Sequence, residues 1–223
     1  MTPASDPPAT EPVVTDADTE VAASADETSG KAPVRKRPKP GERRVQILQT
    51  LASMLEQPGA ERVTTAALAA KLDVSEAALY RHFASKAQMF EGLIEFIEQS
   101  VFTLINQIHE RETDAAVQAQ RVLTVLLQFG EKNPGMTRVM VGDALVFENE
   151  RLQQRMNQFF DKVEASLKQC LRNTSDAAAP TVDAQVRASV LTAFIVGRLQ
   201  RFARSGFKRA PSEHLEASLA RML

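Results

Sequence analysis

Apolar residues recur every three or four positions from Gly41 to the end of the chain, and no segment of any length alternates apolar with polar residues. The first spacing is typical of one face of an α-helix, whereas alternation would indicate a β-strand. The sequences Gln57-Pro58-Gly59 and Asn133-Pro134-Gly135 interrupt the pattern, as expected where one helix ends and another begins. We therefore predict an all-α fold. Four helices are expected before about residue 109, and further helices near 114–129, 135–146, 149–172, 181–204 and 211–222.

The first and fourth helices each carry an apolar stripe that we expect to be buried. In the first helix the stripe consists of Val45, Leu48, Leu51, Ala52 and Leu55. In the fourth it consists of Phe90, Leu93, Ile94, Ile97, Val101, Leu104 and Ile108. At ~100° per residue, Phe96 falls about a quarter-turn off this face. Two interpretations of Phe96 stay open, namely packing against the first helix and exposure for a partner.

The net charge of −1 conceals an uneven distribution of charge along the chain. Residues 1–30 carry seven acidic residues and no lysine or arginine, a net charge of −7. Residues 31–90 carry eleven basic residues against five acidic ones, a net charge of +6, and the remainder is balanced. The 31–90 segment is therefore expected to bind a polyanion. The alternative is a solvated basic tail without a partner.

Residues 1–40 are rich in proline, alanine, threonine, serine and acidic residues, with few large apolar side chains. Such a segment cannot offset the entropy lost on ordering. We predict a disordered tail that is first acidic and then basic.

Composition disfavours several classes of protein. The single cysteine, Cys170, excludes an internal disulfide and is typical of a reducing cytoplasm. The longest uncharged apolar stretch, 188–197, is about half of the ~20 residues needed to cross a bilayer, so no membrane association is expected. The three histidines lack metal-ligand spacing, and no glycine-rich phosphate loop occurs. We expect a cytoplasmic protein that is not an enzyme and holds neither metal nor cofactor.

The segment that follows the first helix has the spacing of a helix-turn-helix. Thr64 or Thr65 is predicted to cap the second helix, Ser75 the third and Ser85 the fourth, because hydroxyls readily accept hydrogen bonds from the first N–H groups of a helix. Five apolar residues can form the small core of the motif: Leu68, Leu72, Val74, Leu79 and Phe83.

The opposite face of the third helix is a candidate DNA-reading surface. Its two alanines let the backbone approach the floor of a major groove, and the tyrosine, arginine and histidine beyond them supply donors for phosphates and base edges. Helix starts favour phosphate, and a lysine in the first turn of the fourth helix is explained if a phosphate lies beside it. Ser75 would nevertheless cap a helix in any protein, and His82 could be an ordinary surface residue. The predicted DNA contacts are Arg43, Arg44, Thr64, Thr65, Ser75, Glu76, Ala77, Ala78, Tyr80, Arg81, His82 and Lys86.

These residues carry a family resemblance. The stretch VTTAALAAKLDVSEAALYRHFASKAQMFEGLIEFIE resembles the N-terminal domain of the TetR family of bacterial DNA-binding proteins. The hallmark is a helix-turn-helix that ends in Leu-Tyr-x-x-Phe-x-x-Lys, here Leu79, Tyr80, Phe83 and Lys86. The resemblance extends over about 42–210 and implies that double-stranded DNA is a partner. It implies a DNA-binding domain over 41–90 and a helical dimerisation and partner-binding domain over 91–223, and leaves the tail unexplained.

TetR-like proteins are implied to be dimers, and the sequence independently allows this. Residues 188–197 are apolar nearly all round, so their helix needs cover on both sides. We expect a homodimer interface in which 149–172 and 181–204 of both chains meet, with higher-order assembly on DNA left open. The fully enclosed central helix of a monomer is the alternative. The predicted interface residues are Phe159, Val163, Leu191, Phe194 and Ile195.

Beyond the first domain, FGEKNPGMTR and ALVFENERLQQRMNQFF are similar to family members that act in nucleoid occlusion. The resemblance implies a dimer that binds chromosomal sites on the nucleoid and inhibits FtsZ ring assembly there. It further implies binding of the C-terminal tail of FtsZ, a short acidic and apolar peptide, for which a phenylalanine beside a lysine is plausible chemistry. The implied contacts are Phe96, Val125, Gln128, Lys132 and Asn133. The alternative function is a TetR-type transcriptional repressor that responds to a small ligand, since apolar helices with scattered polar residues describe both a core and a pocket.

Overall fold

The described part of the chain is built from helices. The computed structural model describes residues 41–57, 62–172 and 179–223, so the predicted tail over 1–40 lies outside them. No strand occurs among these residues, and the all-α prediction is confirmed. None of their helices is long and apolar enough to cross a membrane. The helices are α1 Glu42–Leu55, α2 Thr65–Lys71, α3 Glu76–Tyr80, α4 Lys86–Arg111, α5 Ala115–Lys132, α6 Pro134–Met140, α7 Glu150–Arg172, α8 Pro180–Arg204 and α9 Leu215–Leu219, with a 3-10 turn at Asp143–Leu145.

Two helices are shorter than predicted. The one expected over 135–146 ends at Met140, and Gly142 follows with a φ of 84°. The one expected over 211–222 begins only after His214, whose φ is 52°. Backbone in the left-handed region cannot continue a right-handed helix, so each of these residues marks a helix boundary.

The buried face of α1 differs from the predicted stripe by a small rotation. Leu51, Ala52 and Leu55 are buried as expected, but Val45 is exposed and Ile47 takes its place in the core. Residues 47, 51 and 55 are four positions apart and lie on one face, which turns toward the rest of the chain.

The buried face of α4 follows the prediction over most of its length. Near its C-terminal end Ile105 is buried and Leu104 is exposed, the reverse of the expected order. Phe102 packs its ring edge-on against Phe159 of α7, with 5.4 Å between ring centres. The predicted domain boundary at residue 90 lies within α4, which runs unbroken through it.

Four of the five residues predicted for the dimer interface are buried within the single chain, so the predicted interface needs correction. Phe159 and Val163 of α7 are buried within the single chain, as are Leu191 and Ile195 of α8. Their side chains belong to the buried core of the single chain and are not available to a second chain. Phe194 is half-buried, with the Arg198 guanidinium 5.3 Å from its ring centre.

Helix α1 is packed between α4 and α6, and two glycines allow the close approach. A Cβ atom added to Gly135 of α6 would overlap the backbone carbonyl of Ala52. A Cβ atom added to Gly92 of α4 would lie 3.3 Å from side-chain atoms of Leu48 and Phe83. The backbones of α1 and α6 therefore touch directly, whereas α1 and α4 meet through side chains.

The substitutions Gly135→Ala and Gly92→Ala test this difference. A helical alanine is intrinsically favoured over glycine by ~1 kcal/mol, so any loss of stability measures crowding. Gly135→Ala must separate two backbones and is expected to cost ~3 kcal/mol or more, at the upper end of overpacking effects. Gly92→Ala meets movable side chains and should cost clearly less. Urea unfolding checks both, and equal free energies of unfolding for the two variants would contradict the packing described.

Candidate nucleic-acid interface and neighbouring surfaces

The starts of three consecutive helices are capped by hydroxyl side chains, as predicted. The Thr64 hydroxyl accepts a hydrogen bond from the Ala67 N–H at 3.1 Å, beginning α2. Ser75 accepts from the Ala78 N–H at 3.3 Å, and Ser85 from the Gln88 N–H at 3.2 Å, beginning α3 and α4. Of the two threonines considered for α2, Thr64 is the cap.

The helix-turn-helix formed by α2 and α3 has the predicted core. Leu68, Leu72, Leu79 and Phe83 are buried, and Val74 is half-buried. The turn between the helices includes Asp73 with a φ of 54°, which reverses the chain in few residues. This core fixes which side of α3 faces solvent.

The solvent-facing side of α3 carries small side chains followed by long polar ones, the pattern expected of a helix that enters the major groove of DNA. Ala77 is exposed and Ala78 half-buried, so the backbone is not shielded by long side chains there. Tyr80, Arg81 and His82 are exposed beyond them. The arrangement can place a helix backbone near a surface while three hydrogen-bonding side chains reach past it.

Glu76 has an intramolecular partner that the sequence did not indicate. The Thr65 hydroxyl donates to the Glu76 carboxylate at 2.5 Å. This bond ties the first turn of α2 to the first turn of α3. Both residues were predicted to contact DNA, and the structure gives their side chains a role within the motif.

Arg44 also supports the motif from within. Its guanidinium lies 4.1 Å from the centre of the Phe83 ring and donates to the backbone carbonyl of His82 at 2.9 Å. The neighbouring Arg43 donates to Gln46 within α1 at 2.8 Å. Arg44 therefore holds the C-terminal end of α3 against α1, a contact between residues 38 positions apart.

Lys86 is paired with a carboxylate, which differs from the predicted phosphate contact. Its ammonium group bonds to Glu148, in the segment between the 3-10 turn and α7, and lies 5.7 Å from the Phe90 ring centre. The Glu148 side chain is 10% exposed and that of Lys86 26%. The helix dipole disfavours a lysine at a helix start. The ion pair with Glu148 of the same chain explains why a lysine is found there.

The predicted partner surface lies on α4, α5 and the turn after α5. Phe96 is 49% exposed, so about half of its side-chain surface is accessible to a partner. Lys132 is exposed, and the Asn133 amide donates to the Phe129 carbonyl at 2.8 Å, fixing the turn. Val125 and Gln128 line a groove on the outer side of α5.

Helices α4 and α5 form a hairpin that relates these residues to one another. Only residues 112–114 separate the helices, so they run antiparallel, and Ile108 and Val117 near the turn line the same groove. Phe96 lies 15 residues before the end of α4, and the residue 15 positions after the start of α5 is residue 130. Phe96 is therefore level with the C-terminal end of α5. The five predicted partner residues therefore lie toward one end of the hairpin.

An exposed apolar stripe on α8 was missed by the sequence analysis. Val182, Val186 and Val190 are 63%, 57% and 54% exposed. They follow one another at four-residue intervals, and Ala193 continues the same face. The stretch 188–197, which is apolar nearly all round in sequence, therefore has one face buried within the chain and one face exposed to solvent.

Two further observations concern the single cysteine and the groups that could bind a metal ion. Cys170 is buried on the apolar side of α7, and burial raises the pKa of its thiol. Within residues 41–57, 62–172 and 179–223, no group of three or more histidine, cysteine or acidic residues is placed to hold a metal ion.

Comparison with known proteins agrees with this geometry. Residues 47–93 match the family described as bacterial regulatory proteins, tetR family, and residues 113–222 match the tetracyclin repressor-like C-terminal domain of SlmA-like proteins. The chain is 50% identical over 177 residues to the nucleoid occlusion factor SlmA of Idiomarina loihiensis, covering 78% of this chain and 90% of that protein. It is 52% identical over 174 residues to SlmA of Shewanella pealeana, covering 77% and 88%.

Solved structures share the fold at much lower identity. A TetR-family transcriptional regulator from Bordetella parapertussis superimposes with a TM-score of 0.65 at 16% identity, covering 82% of this chain and 95% of the other. A transcriptional regulator from Rhodococcus sp. gives a TM-score of 0.65 at 20% identity, covering 80% and 92%. At such identities the likeness concerns the fold alone.

Proposed function

Because the chain belongs to the TetR family of bacterial DNA-binding proteins and, within it, to the SlmA group, we propose that it binds chromosomal sites as a dimer and inhibits FtsZ ring assembly over the nucleoid. The relatives named for nucleoid occlusion match it at about half of all aligned positions over more than three quarters of its length. This identity extends well beyond the DNA-binding segment. It therefore supports a role in regulating cell division over that of a ligand-responsive repressor. The proposed location is the cytoplasm, on the nucleoid.

The proposed reading head is the solvent-facing side of α3. The observation that carries it is the exposed sequence of Ala77, Tyr80, Arg81 and His82 on a helix that is held from behind by Leu79 and Phe83. We assign base-edge contacts to this face and to Ala78, and backbone phosphate contacts to the helix starts at Thr64 and Ser75. Glu76 and Arg44 act by supporting the motif.

The substitution Ala77→Leu tests the reading head, with Ala70→Leu as its matched control. Both alanines are exposed, but Ala70 lies on α2. A leucine at 77 should block entry of α3 into the major groove and weaken specific binding at least tenfold, comparable to the ~1–3 kcal/mol of one base contact. Ala70→Leu should bind as wild type does. Anisotropy with a duplex selected by the wild-type protein from random DNA checks this, and normal binding by Ala77→Leu would contradict the assignment.

The proposed dimer forms through the bare valine stripe of α8. Three valines and Ala193 expose a continuous apolar face, which a soluble chain normally covers. A helix pair packed about a two-fold axis would cover both copies of this face at once. The proposal keeps α8 as the interface helix and replaces the buried residues of the original prediction by the exposed ones.

The substitution Val190→Asp tests the dimer, with Val146→Asp as control. Both valines are exposed in the single chain, so neither change buries a charge within it. In a dimer the aspartate at 190 would be buried without a partner, at a cost of several kcal/mol. Sedimentation velocity should show a folded monomer for Val190→Asp and a dimer for Val146→Asp. A dimer that survives both substitutions would place the interface elsewhere.

The proposed surface for the FtsZ tail comprises Phe96, Val125, Gln128, Lys132 and Asn133. An exposed phenylalanine and an exposed lysine at one end of the α4–α5 hairpin offer an apolar anchor and a positive charge to an acidic, apolar peptide. The partner itself is proposed from the resemblance to family members that act in nucleoid occlusion.

The substitution Phe96→Ala tests this surface, and Phe147→Ala is its matched control. Phe147 is also exposed, but it lies in the segment before α7. Loss of an exposed anchor should weaken binding of a synthetic FtsZ tail peptide by ~2 kcal/mol or more, with little change in thermal unfolding or DNA affinity. Phe147→Ala should bind the peptide normally. Early melting of Phe96→Ala, or equal loss in both variants, would argue against the surface.

A further inference from the structure

The groove beside the proposed partner surface has a second wall, made by the C-terminal segment of the chain. Helix α5 forms one side with Val117 and Val125, Ile108 of α4 contributes at one end, and residues 212–219 form the other side. The groove has a volume of about 840 Å³ and opens to solvent along one side. The partner contacts implied by the family resemblance include no residue of this C-terminal segment.

The C-terminal wall is firmly anchored. The Arg198 guanidinium donates to the carbonyl of Pro211 at 3.0 Å and also bonds to the carbonyl of Glu213. The Ser212 hydroxyl donates to the carboxylate of Glu131, next to the proposed contact Lys132. Leu215 and Leu219 on the same segment are buried. The groove is therefore a built feature of the fold.

The chemistry of the groove fits an extended peptide. Ile108, Val117 and Val125 are half-buried and offer apolar contact, and Leu215 joins them from the other side. The groove also carries charges of both signs: the exposed guanidinium of Arg121, which pairs with the Glu112 carboxylate at 3.2 Å, and the carboxylate of Glu216 on the other side. Apolar side chains interspersed with hydrogen-bonding ones such as Thr124 and Gln128 can bind alternate apolar and polar residues of an extended chain.

The groove is continuous with the proposed FtsZ-tail surface. Val125 and Gln128 belong to both, and from Gln128 to Val117 the groove runs about 16 Å along α5, at ~1.5 Å per residue. That length accommodates about five residues of extended chain at ~3.3 Å each.

We propose that the groove between α5 and residues 211–219 is an extension of the partner site, occupied by an extended acidic and apolar segment of the same FtsZ tail. This assignment rests on the proposed function and adds the C-terminal segment and Arg121 to the binding site. The tail is then anchored at Phe96 and Lys132 and runs along α5 toward Val117.

Ala217→Trp tests the extension, with Ala220→Trp as its matched control. Both alanines are exposed on the same segment, but only Ala217 lines the groove. The chain has no tryptophan of its own, so each variant carries a single reporter. We expect Ala217→Trp to bind a synthetic FtsZ tail peptide at least tenfold more weakly, and its emission to shift when the peptide is added to saturation. Ala220→Trp should show wild-type affinity and no shift.

The outcomes separate this inference from the function on which it rests. If Phe96→Ala loses the peptide while both tryptophan variants bind it with wild-type affinity, the partner surface stands and the extension is overturned. An emission response of Ala217→Trp to the apolar dye ANS, with none to the peptide, would overturn it in favour of a small-molecule site. A wild-type protein that does not bind the peptide overturns both proposals. Thermal melting of each variant excludes loss of fold as the cause of weak binding.

Discussion

The close approach of α6 to α1 joins the helix-turn-helix region to the rest of the described chain. At Gly135 one helix backbone rests on the carbonyl of Ala52 in the other, with no side chain between them. The other side of α1 packs on α4, which runs without a break from the helix-turn-helix into the larger helical part. The small motif is thereby fixed at two places to the body that carries α7 and α8.

Within the helix-turn-helix, the residues that hold α3 in place differ from those that α3 exposes to solvent. Buried leucines and Phe83 hold α3 in place, and polar contacts such as the one between Thr65 and Glu76 align the helix starts. Arg44 reaches from α1 to the far end of α3. The exposed face of α3 is consequently left with short alanines and three long polar side chains that carry none of the packing.

The features predicted from the sequence were those determined by neighbours in the chain. Hydroxyl caps such as Ser75 depend on a residue three positions away, and helix type depends on local spacing. Local spacing could not show that Val45 faces outward, because rotation of α1 depends on what packs against it. Likewise the two faces of α8 became distinct only once α7 covered one of them, and a half-exposed Phe96 could be recognised only in three dimensions.

The ion pair between Lys86 and Glu148 has a consequence for binding thermodynamics. A solvated lysine that meets DNA displaces a counterion from the phosphate backbone, and this release makes affinity fall steeply with ionic strength. Lys86 is already neutralised by a carboxylate that is 10% exposed. A phosphate that engaged Lys86 would have to compete with Glu148 and leave that carboxylate unpaired. Lys86 should therefore contribute less to the salt dependence of binding than an unpaired lysine, so a count of basic residues near α3 overstates the number of counterions released.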